Sequence, residues 1–263
     1  MTNYQNPRVF GFNYCQQEYG GSVSVSSGSS TMWYATDNNK YTRWVTSGQA
    51  GSSQLASWTR GFGASRTIDC IYVFQTNIHN INFVYGTGDT PLPNVTVMRC
   101  EDLSCAFFKF DPVPTTQIKG MGTETITAGE EKYINEVYAM EQVGQFELPI
   151  LFKGGIEKSQ IDHKLESGKH FVINKGSSLH GKITFKSHIS TADVDLYNTI
   201  LSRDSEFHIW FNGGDEGQFK YLFYPYRFED MFKVSILKGA QPSFRKNFYG
   251  SGLNSELEIV EVE

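Results

Sequence analysis

The chain has 263 residues, 14% of them aromatic, with 25 Gly, 8 Pro and a net charge of −5. That length is enough for one large or two ordinary domains that need no staples, since a chain this size buries about 70–75% of its unfolded surface. The thin negative charge and the absence of a basic run exclude a nucleic-acid-gathering surface.

No stretch of 18 apolar residues offers a membrane span, and the polar start "MTNYQNPRVFGFNYC" has no apolar h-region of a secretory signal. The expectation is a protein made in the cytoplasm that stays there or leaves by lysis or another non-Sec route. Four cysteines occur, Cys15, Cys70, Cys100 and Cys105. Cys70 reads as a small core residue. "CEDLSC" is a C-x4-C with no second pair to complete a metal site, so free thiols or one loop-closing pair are expected, and no metal or other cofactor.

In chain order, "SVSVSSGSS" (22–30) is a low-complexity tract. "TIDCIYVF" (67–74) is a β-branched and aromatic strand, its alternation placing Ile68, Cys70, Tyr72 and Phe74 on one face. "NINFVYG" (80–86) groups Ile81, Phe83 and Tyr85. "NVTVM" (94–98) and "AFFKF" (106–110) are further strands, and "TTQIKGMGTETITAG" reads as a hairpin with a Gly turn. "KYINEVYAMEQVGQFEL" (132–148) is a strand pair or a bent strand broken at Gly144. Short strands at this spacing are those of a β-sandwich.

The character then changes. "LFKGGIEKSQIDHKLESGKH" (151–170) reads as a linker plus an edge element, and "HGKITFKSH" (180–188) as a strand. "STADVDLYNTILSR" (190–203) is the one helix, capped by Thr191 or Asp193, with Leu196, Ile200 and Leu201 as its apolar stripe. "EFHIWFNGGDEGQFKYLFYPYR" (206–227) is a hairpin signal, its acidic Gly-rich centre a turn before it is a calcium loop. "DMFKVSIL" (230–237) is a strand, and "SELEIVEVE" (255–263) ends the chain with alternating Glu, as suits an exposed edge. The fold expected is all-β: a sandwich over residues 1–148, then a second β-rich domain over 149–263 with one short helix near 191–203.

Chemistry-bearing motifs fail in turn. There is no G-x-S-x-G, no H-E-x-x-H and no phosphate loop, and the six histidines do not pair on a helix face. The sequence therefore assigns no catalytic residue and no enzyme class. Asn94 is a formal glycosylation acceptor that means little without a secretory signal.

Residues 33–77, "WYATDNNKYTRWVTSG…SSQLASWTRGFGASRTIDCIYVFQTN", carry a resemblance. They are similar to the discoidin, or coagulation-factor-C-type, galactose-binding-like jelly roll. Ala35, Asp37, Thr42, Arg43, Trp44, Trp58, Thr67, Ile68 and Asn77 fall on that pattern, and "YINEVYAMEQVG" matches its closing strand, so the likeness spans about residues 8–146. Two departures stand out. Asp37-Asn38-Asn39 replaces the family's Asp-Gly-Asp type loop, and Thr59-Arg60-Gly61-Phe62-Gly63 replaces its Ile-Asp-Leu-Gly. The resemblance implies that Trp44 plugs one end of the sandwich, while Arg43 pairs with an acid such as Asp37 or caps backbone carbonyls.

The layout of the whole chain also resembles tail, baseplate or neck structural proteins of tailed bacteriophages. That resemblance implies a non-enzymatic assembly protein of a virion, acting as a homo-oligomeric ring and on other virion proteins. Phe244, Phe248 and Tyr249 are the candidate partner contacts. The alternative is a lectin-like carbohydrate-binding module for surface glycans. Its candidate contacts are Trp33, Tyr34, Asp37, Asn38, Tyr41 and Arg43, rings to stack on sugar C–H groups beside amides and charges that hold hydroxyls.

Overall fold

The computed structural model describes residues 7–50, 54–100, 102–146, 151–164, 170–184, 191–202, 206–211, 231–237 and 256–262. The chain divides into two compact units. One is Phe10–Gln142 with Asp215–Lys220, the other Met1–Val9, Val143–Gly214 and Tyr221–Glu263.

The first unit is a β-sandwich built around two long bent strands. In chain order β1, Arg8–Phe10, joins the other unit's sheet, and the strands that follow are β2 Val23–Val25, β3 Trp44–Val45, β4 Ala56–Thr76, β5 Asn82–Tyr85, β6 Thr90–Pro91, β7 Thr96–Arg99, β8 Ala106–Gly122 and β9 Tyr133–Met140. A 3-10 helix, Ser29–Thr36, lies between β2 and β3. The strands β4 and β8 pair along both their halves, with register shifts between Gly61 and Arg66 and between Ile68 and Cys70. Their outer pairings separate the two layers. The first half of β4 takes β2 and the second half of β8 takes β5. The second half of β4 takes β9 and the first half of β8 takes β7. Trp58, Ile118 and Phe83 from one layer and Ile71, Val73, Phe108 and Val137 from the other share one core.

The bulges explain where simple alternation misleads. Period 2 puts Ile68 with Cys70, Tyr72 and Phe74. The irregularity between Ile68 and Cys70 resets the pleat, so Ile68 joins Ile71 and Val73 in the core while Cys70 and Tyr72 are buried elsewhere. The expected hairpin in "TTQIKGMGTETITAG" is instead the second half of β8, running straight to Gly122. Gly120 and Gly122 are strand glycines, while Gly129 sits in a turn beyond the strand at φ 83°. Gly120 lies under the Phe83 ring, where a side chain would collide.

The second unit's strands are β10 Gln142–Gln145, β11 Leu151–Lys164, β12 His170–Thr184, β13 Phe207–Trp210, β14 Met231–Ile236 and β15 Glu256–Glu261, with one helix, α1, Thr191–Leu201. They form a seven-stranded sheet in the order β10-β1-β13-β14-β15-β12-β11. Leu196, Tyr197 and Ile200 of α1 pack with Val9, Ile209, Val234 and Ile259 of the sheet.

The edge element expected within 151–170 is present as a 14-residue strand, β11, at the end of the sheet order, and it takes up Leu151–Lys164 of the stretch that was to hold a linker as well. Two expectations change here. The bend expected at Gly144 falls at Glu141, between β9 and β10. Gly144 is inside β10 because Leu196 presses on it, a Cβ there meeting Leu196 Cδ1 at 2.8 Å. Finally, β15 is not an edge: it lies between β12 and β14. Its Glu258 faces Lys182 across the ladder and lies 3.2 Å from His180 Nε2, inside the sheet. No described helix is long and apolar enough to cross a membrane.

Candidate functional site

The segment 33–43 runs from the 3-10 helix into β3 along the edge of β9. Short polar side chains that bond their own backbone give it a fixed shape. Asp37 Oδ1 accepts from the Asn39 amide (3.0 Å) and the Thr42 hydroxyl donates to Asp37 Oδ2 (2.8 Å). Asn39 Oδ1 accepts from the Tyr41 amide at 3.0 Å. Asn38 adopts φ 59°, a left-handed conformation that Asn tolerates. Two contacts from elsewhere tie the loop down. Gln16 Nε2 donates to Asn38 Oδ1 (3.0 Å), and Asn135 Nδ2 on β9 donates to the Lys40 carbonyl (2.9 Å).

The predicted residues are placed unequally. Tyr41 stands 96% exposed on this loop and Tyr34 is 42% exposed on the helix before it. Trp33 is half-buried, with the Arg60 guanidinium 5.6 Å over its ring, so one ring face is occupied from within. Arg43 is exposed, and its guanidinium lies 4.7 Å over the Tyr133 ring. Asp37 spends its hydrogen bonds on Thr42 and Asn39. Trp44 is fully buried, and its Nε1 donates to the Ser27 carbonyl at 3.0 Å, as an end plug should. Phe244, Phe248 and Tyr249 lie outside the described residues.

Beneath the loop the structure adds a residue that sequence reading passes over. Glu136, in the middle of β9, is fully buried, its carboxyl near the Asn38 and Asn39 amides without a well-formed hydrogen bond to either. Burial, then the neighbouring Asp37 charge, pushes its pKa well above the usual carboxylate range. The Asn38 and Asn39 amides and Lys40 pull it back only in part. No three His, Cys, Asp or Glu side chains converge among the described residues, and no metal is assigned to this pair.

Behind the loop, Arg60 is fully buried and satisfied by carbonyls: its Nε donates to Cys15 O and its Nη2 to Gln16 O, both at 2.8 Å. Burial lowers its pKa. These bonds fix the Asn13–Gln16 segment, from which Gln16 reaches Asn38. The Thr59–Gly63 stretch that departs from the family pattern thus supplies a strut for the loop.

No family model matches the chain, and no curated protein does. Among solved structures, chitosan-binding module 1 of a chitosanase/glucanase from Paenibacillus sp. IK-5 is 15% identical. The match covers 49% of this chain and 98% of that one, at a TM-score of 0.40. A family 32 carbohydrate-binding module of C. perfringens NanJ, solved with galactose, is 18% identical over 51% of this chain and 99% of its own, at a TM-score of 0.39. A structure from the Streptococcus pneumoniae β-galactosidase BgaA is 18% identical over 50% and 98%, at a TM-score of 0.39.

Proposed function

We propose that the first unit is a carbohydrate-binding module without catalytic activity, and that the 37–43 loop supplies its sugar contacts. The observation that carries this reading is Tyr41: an aromatic ring 96% exposed, on a loop whose backbone is held by its own Asp, Asn and Thr side chains. An exposed ring stacks on the C–H face of a pyranose. Asn39 is exposed with its Oδ1 committed to the Tyr41 amide, which leaves its Nδ2 donors for sugar hydroxyls, and Arg43 adds a cation within the same loop. A loop ordered before binding loses little entropy on contact, which favours a weak ligand such as a single sugar.

A glycan array probed with the full chain tests this. Tyr41→Ala is expected to weaken the bound glycans at least about tenfold, the scale of one lost stacking contact. An array with no glycan bound, or binding indifferent to Tyr41→Ala, overturns the reading. The virion-assembly role would use Phe244, Phe248 and Tyr249, and no described residue favours it.

A further inference from the structure

At the end of the sandwich where β7 turns into β8, the C-x4-C segment brings two thiols together. Arg99 and Ala106 pair across the ladder, and the next residues inward are Cys100 and Cys105. The Cys100 amide donates to the Cys105 carbonyl (3.1 Å), and the Cys105 amide donates to Cys100 Sγ (2.9 Å). Cys100 Sγ donates to Asp102 Oδ1 (2.8 Å), and both sulfurs lie against the Ser104 hydroxyl, at 3.6 and 3.8 Å. Asp102 shapes the turn, accepting from the Ser104 amide (3.0 Å) and hydroxyl (2.6 Å), while Leu103 takes φ 63°. Both cysteines are free thiols.

The surroundings make the pair unequal. Cys100 keeps 8% exposure and Cys105 none. Cys100 is pulled down from the usual thiol value, first by the neighbouring Cys105 thiol and then by the Ser104 hydroxyl and the Cys105 amide, against burial and Asp102. The Arg99 guanidinium, fixed on the His79 carbonyl (2.6 Å) and the Ile81 carbonyl (3.2 Å), adds a positive charge beside it. Cys105 is pushed far up, first by the neighbouring Cys100 and then by burial. A sulfur that reaches solvent, backed by a shielded one, is the division of labour of a peroxide-oxidised dithiol. Cys15 and Cys70 lack it. Cys15 is buried and pushed up, and the buried Cys70 thiol donates to the Met140 carbonyl at 3.3 Å.

We propose that Cys100 and Cys105 form a redox latch, oxidised to a disulfide by peroxide, with Cys100 attacking and Cys105 resolving. In the first step the Cys100 thiolate attacks one peroxide oxygen and the O–O bond breaks. Hydroxide leaves and takes a proton, and Cys100 becomes a sulfenic acid. In the second step Cys105 gives up its proton and attacks Cys100 Sγ. The S–O bond breaks, water leaves and the S–S bond forms. Overall two thiols are oxidised and one peroxide is reduced to two waters. The disulfide closes the turn that holds residues 75–76 of β4. The Ser104 carbonyl accepts from the Thr76 amide at 2.7 Å and Cys105 Sγ from the Gln75 amide at 3.5 Å. This latch is independent of the sugar reading.

The test is hydrogen peroxide titrated onto the reduced full-length chain, followed by peptide mapping. A Cys100–Cys105 disulfide is expected to form at least about tenfold faster than any oxidation of Cys15 or Cys70. Cys105→Ser is expected to stop at a Cys100 sulfenic acid that dimedone traps, and Cys100→Ser to give no adduct at Cys105. Wild-type chain in which the pair stays reduced, over-oxidises without cross-linking, or reacts no faster than Cys15 and Cys70 overturns the proposal. So does a dimedone adduct on Cys105 rather than Cys100.

Discussion

Glu136 shows how one side chain ties the loop to the sheet. Its folded pKa is raised, so the stability linked to this group is fully present below the unfolded value of about 4.3. It is lost as pH rises through the raised folded value, because the unfolded chain ionises first. At neutral pH the residue is therefore a liability. Glu136→Gln is expected to raise the melting temperature and to flatten the fall in stability above mildly acidic pH. Thermal melts at several pH values read both effects, and a wild-type and variant pair with the same pH profile would mean Glu136 is not the cause. Little of this was legible in sequence. Asp37 stood out by its loop, whereas Glu136 looks like any alternating strand residue until the fold buries it.

Among elements, β3 and the turn before the 3-10 helix carry the end plug. The Trp44 ring is fully buried in the sandwich core and its Nε1 is bonded to Ser27 O. Trp44→Ala is expected to cost about 3–5 kcal/mol in denaturant unfolding, the range for emptying a large aromatic site. Loss under about 1 kcal/mol would mean the ring is not the plug. The neighbouring Gly28 adopts φ 73°, and a Cβ there would meet the Val45 carbonyl at 1.9 Å, so the plug needs a glycine beside it. The Arg-Trp step was readable because its residue types are distinctive. The bend in β4 was not, because a bulge leaves the strand's composition unchanged while reversing which residues face in.

At the scale of the whole molecule, the chain's start belongs to its second half. β1 lies between β10 and β13, and Val9 is fully buried among residues of the second unit. A chain beginning at Phe10 is expected to lose the cooperative transition of the second unit in calorimetry while the sandwich still melts. Two unchanged transitions would show that β1 is dispensable. Residues 7–10 are too few and too ordinary to announce a partner more than a hundred residues away.

The sequence by itself determined the all-β class, the sandwich in the first half, the α-helix with its apolar stripe and the plug at Trp44. Each rests on local periodicity or on a residue type with few roles. Only tertiary structure decided which strand is central, where β1 belongs, and that Glu136 lies buried under the Asp37 loop. Those depend on distant segments meeting, and on burial that changes the chemistry of a group without changing its name. "NNKYTRWVTSG" shows both: its Trp could be placed from the string of letters, and the exposure of Tyr41 could not.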